Sequence, residues 1–125
     1  MRVLSHCCRL IAFSLTLFLP YSVMADQNEE GKALFATLCT ECHGVNGDGH
    51  GPVAETMPLK PRDFALAAFK FDTDSDWQKG TDIDLANDIR QGPGAFGGSA
   101  LMPPFAHLGE KEISSLVSFI RSRKP

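Results

Sequence analysis

The sequence predicts an all-α domain with long loops, and three observations support this fold class. Apolar residues recur at the three- and four-residue spacing of one helix face, most clearly at Ile113, Leu116, Val117 and Ile120. No segment alternates apolar and polar residues in the way that is typical of a half-buried strand. The stretches between the helical patterns are rich in glycine and proline, and such loops are acceptable in a small domain when they wrap around a ligand.

Three helices are predicted in order along the chain. The first covers about residues 26–38, where apolar residues share one face. The second starts near Thr81 or Asp82 and stops at Gly92, because glycine commonly follows the last helical residue. The last covers about residues 110–123 and has acidic residues early and basic residues late, which the helix dipole favours.

Residues 1–25 have the layout of a secretory signal peptide. Two arginines precede an apolar run over residues 10–19, and small residues lead to Ala25. The apolar run spans about 15 Å as a helix, which is roughly half of the hydrocarbon core of a bilayer. We therefore expect cleavage after Ala25, a mature domain of residues 26–125 and a periplasmic location. An uncleaved N-terminal anchor is the alternative.

The mature chain is short and acidic. Removing 25 of the 125 residues leaves 100, which is enough for one domain with a modest core. Two of the 12 Lys and Arg residues lie in the signal, so ten remain against 15 Asp and Glu, a formal charge of about −5. This balance argues against a nucleic-acid partner. The acidity serves either solubility or docking to a partner.

The run Cys39-Thr40-Glu41-Cys42-His43 has the C-x-x-C-H pattern of a c-type haem attachment site. Two thiols at this spacing can add to the vinyl groups on one edge of a haem, and the histidine can then coordinate the iron. A zinc half-site would need further ligands, but Cys7 and Cys8 lie in the predicted signal. A thioredoxin-like dithiol would be expected in a βαβ pattern. The motif therefore predicts one haem c, held by Cys39 and Cys42, with His43 as an iron ligand.

The ligand on the other face of the iron decides the type of function. With His43 alone the iron would have an open position for small molecules, whereas a second protein ligand makes an electron carrier. Met102 is the leading candidate, because Pro103 and Pro104 stiffen a loop that could present its sulfur. Three other residues stay open as alternatives: Met57, His50 and His107.

These residues resemble the small class I cytochromes c of bacteria over nearly the whole mature chain. The matching features are the first helix with Gly31 and Phe35, the C-x-x-C-H run, Gly51-Pro52, Pro61-Arg62-Asp63-Phe64, Met102-Pro103-Pro104 and the last helix with Phe119. The resemblance implies a cytochrome c fold of about three to five helices, with long loops wrapped around one covalently bound haem. It also implies that the first and last helices cross at Gly31, with Phe35 and Phe119 packing at the contact.

The resemblance implies roles for three residues outside the motif. The backbone carbonyl of Pro52 would accept a hydrogen bond from the second ring nitrogen of His43 and so orient the imidazole. Arg62 and Trp77 would be candidates to hydrogen bond a haem propionate. Pro52 and Arg62 are therefore predicted to belong to the cofactor site.

Together these features predict a periplasmic electron-transfer protein, not an enzyme, that carries one electron on a haem ligated by His43 and Met102. Its expected partners are redox proteins that donate and accept electrons. Membrane contact is expected only through an uncleaved segment 1–25 or a membrane-bound partner complex. The alternatives are a cytochrome c subunit of a larger dehydrogenase or oxidase complex, and a five-coordinate haem sensor or enzyme.

Overall fold

The computed structural model describes residues 21–125, with the backbone alone for residues 21–25. Most of the predicted signal peptide therefore lies outside the described residues, and the domain division after Ala25 stays a prediction. Helix α1 covers Tyr21–Leu38 and so begins before the predicted start of the mature chain. Within the described residues, no helix has both the length and the apolar character that crossing a membrane requires.

The regular structure from residue 21 onward is entirely helical, so the predicted all-α fold is confirmed. After α1 come α2 (Thr40–His43), α3 (Asp82–Gln91) and α4 (Glu110–Arg121). Two short 3-10 helices cover Ala54–Thr56 and Pro93–Phe96. The three helices predicted from periodicity thus occur within a few residues of their expected ends, and the C-x-x-C-H run forms a short helix of its own.

Helices α3 and α4 begin with side-chain caps. The Thr81 hydroxyl accepts the backbone N–H of Asp84, and the Asp84 carboxylate accepts the backbone N–H of Thr81. Gly109 has no side chain, so at the start of α4 only the reverse bond forms, from its N–H to the Glu112 carboxylate at 2.8 Å. Each cap satisfies backbone donors that have no partner inside the helix.

Helix α1 crosses α4 at Gly31. A Cβ atom at this position would overlap the backbone carbonyl of Ser115 on α4, so a larger residue would push the helices apart. Beside the crossing, the ring centroids of Phe35 and Phe119 lie 5.1 Å apart. Glu30 accepts a hydrogen bond from the Ser115 hydroxyl at 2.8 Å. The close crossing implied by the family resemblance is therefore present.

One apolar core connects the helices to the loops. Burying one large apolar side chain in this core stabilises the folded state by about 1.5–3 kcal/mol relative to leaving it exposed to water. Cys39, Met102 and Phe105 are half-buried and pack against the same core. Its buried members are Phe35, Phe64, Leu85, Ile89, Ile113, Leu116, Val117, Phe119 and Ile120. The haem motif and the methionine loop therefore meet at one core.

Candidate functional site

Helix α2 places the two thiols and the imidazole of the motif side by side. The N–H of Cys39 donates to the carbonyl of Phe35 at 2.9 Å, and the N–H of His43 donates to the carbonyl of Cys39 at 2.8 Å. These bonds continue the helical hydrogen-bond pattern from the end of α1 into the motif. Residues three and four apart share one helix face, so Cys39, Cys42 and His43 lie on the same side. Cys39 and Cys42 are not joined to each other by a disulfide.

The surroundings of Cys39 disfavour a redox-active dithiol pair of the thioredoxin kind. Burial, with a smaller effect of the neighbouring Cys42, raises the pKa of Cys39 to about 11. Catalytic dithiols instead have a lowered pKa, because the thiolate is the nucleophile. The Cys39 thiol is therefore protonated at neutral pH, and the local environment favours the haem-attachment interpretation over a dithiol.

The hydrogen bond that orients His43 corrects the expectation for Pro52. Nδ1 of His43 donates to the backbone carbonyl of Arg62 at 3.1 Å. Pro52 follows Gly51, which lies directly on α2, where its N–H donates to the carbonyl of Cys42 at 3.1 Å. The Gly51-Pro52 segment therefore packs against the α2 backbone instead of the imidazole. Because Nδ1 carries the proton, Nε2 is left with the free lone pair that a metal requires.

Two glycines bring Arg62 to this position. Gly49, with a φ of +81°, donates its N–H to the carbonyl of His43 at 2.8 Å and lies against the carbonyl of Pro61. The N–H of Phe64 donates to the carbonyl of Gly47 at 2.8 Å. These contacts fold the Pro61–Phe64 segment back onto α2. The sequence singled out that segment as a family feature, but its contact with His43 depends on this loop conformation.

Phe64 also stacks on the imidazole. The ring centroids of Phe64 and His43 lie 4.6 Å apart, with an angle of 20° between the planes. Burial lowers the pKa of His43, the hydrogen bond to the Arg62 carbonyl opposes this, and the charge of Arg62 lowers it further. The lowered pKa favours the neutral imidazole, which is the form that binds a metal. The sequence analysis missed this stacking, because no local pattern reports it.

An apolar cleft joins the motif to the methionine loop. His43 and Met102 both line this cleft, as do Cys39 and a set of apolar side chains. The N–H of Phe105 donates to the carbonyl of Ile89 at 2.9 Å, which holds the methionine loop against the end of α3. The apolar members of the wall are Phe35, Leu38, Phe64, Ile89, Phe105, Leu116 and Ile120.

The residues of the apolar cleft fit a haem. Its walls are apolar, as the faces of a porphyrin require, and a thiol of the attachment motif lies at its edge. It also offers one imidazole nitrogen and one thioether, which together form the ligand pair of many cytochromes c. Met57, His50 and His107 do not belong to its lining. The structure thus brings His43 and Met102 together and leaves the three alternative ligands elsewhere.

The two residues expected near a propionate have different surroundings. Trp77 is 94% exposed and has a φ of +71°, with its N–H bound to the carboxylate of Asp72 at 3.0 Å. It does not line the apolar cleft, so the structure does not support its propionate role. Arg62 contributes its carbonyl to His43. Burial and the charge of Asp84 raise the pKa of Asp88 to about 6, and the guanidinium of Arg62 lies close enough to oppose this in part.

Comparison with known proteins gives one family and one similar structure. The family model described as Cytochrome c matches residues 28–124. A search of curated proteins found no significant match. A chain of the Kuenenia stuttgartiensis reducing HAO-like protein complex Kustc0457/Kustc0458 is similar, with a TM-score of 0.64, 35% sequence identity and 77% of this chain covered. This chain spans 42% of the length of that relative.

The family match extends over both the attachment motif and the methionine loop. It supports a role in haem electron transfer. The chain therefore belongs to the cytochrome c family and carries haem c attached covalently through Cys39 and Cys42.

Proposed function

We propose that this cytochrome is a periplasmic one-electron carrier whose haem iron is ligated by Nε2 of His43 and the sulfur of Met102. The observation that carries the proposal is that both side chains line the same apolar cleft as the attachment motif. Bound haem would supply an iron that accepts and releases one electron. If His43 and Met102 both held the iron, the protein would leave no position open for a substrate, which disfavours the alternative of a five-coordinate sensor or enzyme.

The protein's own part is to hold these ligands and to keep water away. The Arg62 carbonyl and the Phe64 ring restrict the rotation of His43. Phe105 anchors the methionine loop to α3. Apolar walls and a thioether ligand both favour the reduced iron, because neither stabilises the extra positive charge of the oxidised state well. The cleft is therefore suited to a carrier of raised reduction potential.

A specific observation favours a second candidate, a cytochrome subunit of a larger redox complex. The similar structure belongs to an HAO-like protein complex, although this chain spans only 42% of that relative. The same site would then transfer electrons to a fixed partner. Co-purification of the tagged protein at moderate salt separates the two candidates, because a subunit retains its partner and a free carrier elutes alone.

The periplasmic location rests on the signal-like segment 1–25. We expect the protein to be found in the periplasmic fraction with Asp26 as its first residue, which N-terminal sequencing or intact mass would detect. Recovery in the membrane fraction with the segment still attached would favour the anchored form instead.

Met102→Ala tests the ligation directly. Removing the sulfur should abolish the sulfur-to-ferric-iron charge-transfer band and allow carbon monoxide to bind the ferrous protein, because the sixth position becomes open. Optical spectra of both oxidation states measure the two effects. Met57→Ala is the matched control and should leave the band unchanged. Loss of the band in Met57→Ala alone would move the ligand to Met57, and carbon monoxide binding by the wild type would favour the five-coordinate alternative.

A further inference from the structure

A second cavity lies beside the apolar cleft. It has a volume of about 350 Å³ and is lined by three cationic side chains, those of Lys79, Arg121 and Lys124. We call it the basic cavity. Phe64 and Ile120 line both cavities, so one layer of side chains separates them.

Two of the three cations are uncompensated. The Arg121 Nε is paired with the Asp82 carboxylate at 2.7 Å, and its Nη2 donates to the carbonyl of Gly80 at 2.6 Å. Lys79 and Lys124 are exposed, and neither has an ion-pair partner in the part of the chain that the structure describes. Because Asp82 offsets Arg121, the cavity has a local charge of about +2, from three cations and one carboxylate. The cavity is therefore locally positive, although residues 26–125 as a whole carry a net negative charge.

The order of residues along α4 relates the two cavities to each other. Leu116 lines the apolar cleft, Ile120 one turn later lines both cavities, and Arg121 and Lys124 line the basic cavity. Cys39 lines the apolar cleft but not the basic cavity. Ile120 and Phe64 therefore lie between the attachment motif and the basic cavity.

A haem has its vinyl groups and its two propionate carboxylates on different edges of the porphyrin. The vinyl groups are tied to Cys39 and Cys42, so the propionates project away from the attachment motif. Carboxylates that leave an apolar cleft need cations or hydrogen-bond donors, because an unpaired charge is costly to bury. We propose that the basic cavity receives the haem propionates, with Lys79 and Lys124 as their cationic partners. This inference rests on the proposed seating of the haem in the apolar cleft.

The proposal assigns the propionate role to Lys79 instead of Trp77, which lies two residues earlier in the chain. Trp77 is fully exposed, whereas Lys79 in the same loop lines the basic cavity. Aromatic side chains complete the site, since Phe69 lies under the Arg121 guanidinium at 5.1 Å and stacks on Phe64 at 6.3 Å. The rings of Phe64 and Phe69 would pack against the apolar edge of the porphyrin, and the ammonium groups of Lys79 and Lys124 would pair with its propionate carboxylates.

The test compares the reduction potential of haem-loaded variants as a function of pH. In Lys79→Gln/Lys124→Gln the ionised propionates lose their partners, so their pKa values should rise. The pH range over which the reduction potential changes should then shift upward by about one pH unit, because a single nearby charge changes a pKa by about that much. The potential at neutral pH should also fall, because nearby cations favour the reduced iron.

Lys32→Gln/Lys111→Gln is the matched control. It removes the same two charges from exposed positions on α1 and α4 that do not line the basic cavity. We expect a small offset of the potential with an unchanged pH profile. The same pH profile in both double variants would overturn the proposal.

Two further readouts separate the possible failures. The thioethers keep haem on the protein in every variant, and the sulfur-to-iron band reports Met102 ligation independently of the propionates. A wild type without that band would overturn the proposed function while the pH profile still tests the cavity. Free succinate offers the same carboxylate chemistry from another source. A succinate-dependent change in the wild-type potential that disappears in Lys79→Gln/Lys124→Gln would show an open anion site and overturn the propionate assignment.

Discussion

The side chain of His43 shows how single contacts set the chemistry of this site. One hydrogen bond to the Arg62 carbonyl assigns the proton to Nδ1, and the stacked ring of Phe64 restricts rotation. Burial lowers the pKa of the imidazole and so favours its neutral form. Both ring nitrogens thus have fixed roles, and Nε2 is available to iron.

Covalent attachment is a second property of single residues. Because thioether bonds survive unfolding, haem should stay with the polypeptide on a denaturing gel and resist extraction by acidic organic solvent. In Cys39→Ala/Cys42→Ala the retained haem should disappear, which staining for haem peroxidase activity measures. The single variants are the controls, since one remaining thioether still retains haem. Complete extraction from the wild type would contradict covalent attachment.

Asp84 stabilises the fold through its charge. Burial alone would raise the pKa of this carboxyl, which is 1% exposed, but hydrogen bonds from Thr73 and Thr81 outweigh burial and lower the pKa from 3.8 to about 2. The stabilisation is therefore complete above pH 3.8 and is lost as the pH falls toward 2. It amounts to about 2 kcal/mol. We expect Asp84→Asn to lower the free energy of unfolding by about this amount near pH 7, as measured in denaturant.

Asp88, one turn later on α3, provides the matched control. Burial and the charge of Asp84 raise its pKa to about 6, and the nearby Arg62 opposes this only in part. A raised pKa means that the carboxyl stabilises the fold at low pH and that this contribution is lost as the pH rises through about 6. Asp88→Asn should therefore increase the free energy of unfolding above that pH. Equal losses in both variants would contradict the assigned charge states.

Among the elements, α4 takes part both in the helix crossing and in the lining of the two cavities. One face crosses α1 at Gly31, Leu116 and Ile120 line the apolar cleft, and Lys124 beyond its end lines the basic cavity. Any change in the angle or distance between α1 and α4 would move the attachment motif relative to both cavities. The crossing therefore stabilises the fold and also fixes the position of the attachment motif relative to the two cavities.

Gly31→Ala tests this crossing. Helix propensity alone predicts a gain of about 1 kcal/mol on replacing a helical glycine by alanine. The added Cβ, however, would overlap the Ser115 carbonyl, which belongs to backbone and cannot move aside alone. We expect a net loss of about 1–3 kcal/mol in the free energy of unfolding, which is typical of overpacking.

The control for Gly31→Ala is Ala33→Gly at an exposed position of the same helix. This reverse change should cost only about 1 kcal/mol, since propensity is the only effect. If Gly31→Ala were more stable than the wild type, the two helices would have room for a methyl group and the close crossing would be wrong.

The molecule as a whole combines an acidic surface with a small area of positive charge. Residues 26–125 contain ten cationic and 15 acidic residues, and their formal charge of about −5 would attract partners with a positively charged face. Such attraction between exposed charges is screened beyond about 8 Å at physiological ionic strength. We therefore expect the bimolecular electron-transfer rate with a basic partner to fall as salt is added, as stopped-flow measurements would detect.

Phe96→Ser separates the effect of long-range electrostatic attraction from the effect of the apolar contact surface. Phe96 is half-buried in the 3-10 helix Pro93–Phe96, close in sequence to the methionine loop. Losing an apolar contact near the haem should slow electron transfer and leave the salt dependence unchanged, because no charge is altered. A rate that stays flat or rises with salt would refute steering and would favour an apolar docking mode or a permanent complex.

The helices and the attachment motif were predictable because they depend on neighbouring residues. Periodicity over a few turns located α3 and α4, and five consecutive residues identified the haem site. Met102 was also selected as a candidate ligand on local grounds, since two prolines follow it, and its ligation of the iron stays a proposal. The family match confirms the haem and the fold that these patterns predicted.

The amino-acid sequence by itself determined the haem, its two attachment points and the helices, because each is encoded within a few consecutive residues. Only the tertiary structure decided that Arg62, not Pro52, orients His43, and that Lys79 and not Trp77 lines the basic cavity. Those contacts join residues far apart in the chain. They depend on the path of glycine-containing loops, where a single backbone angle redirects every residue that follows.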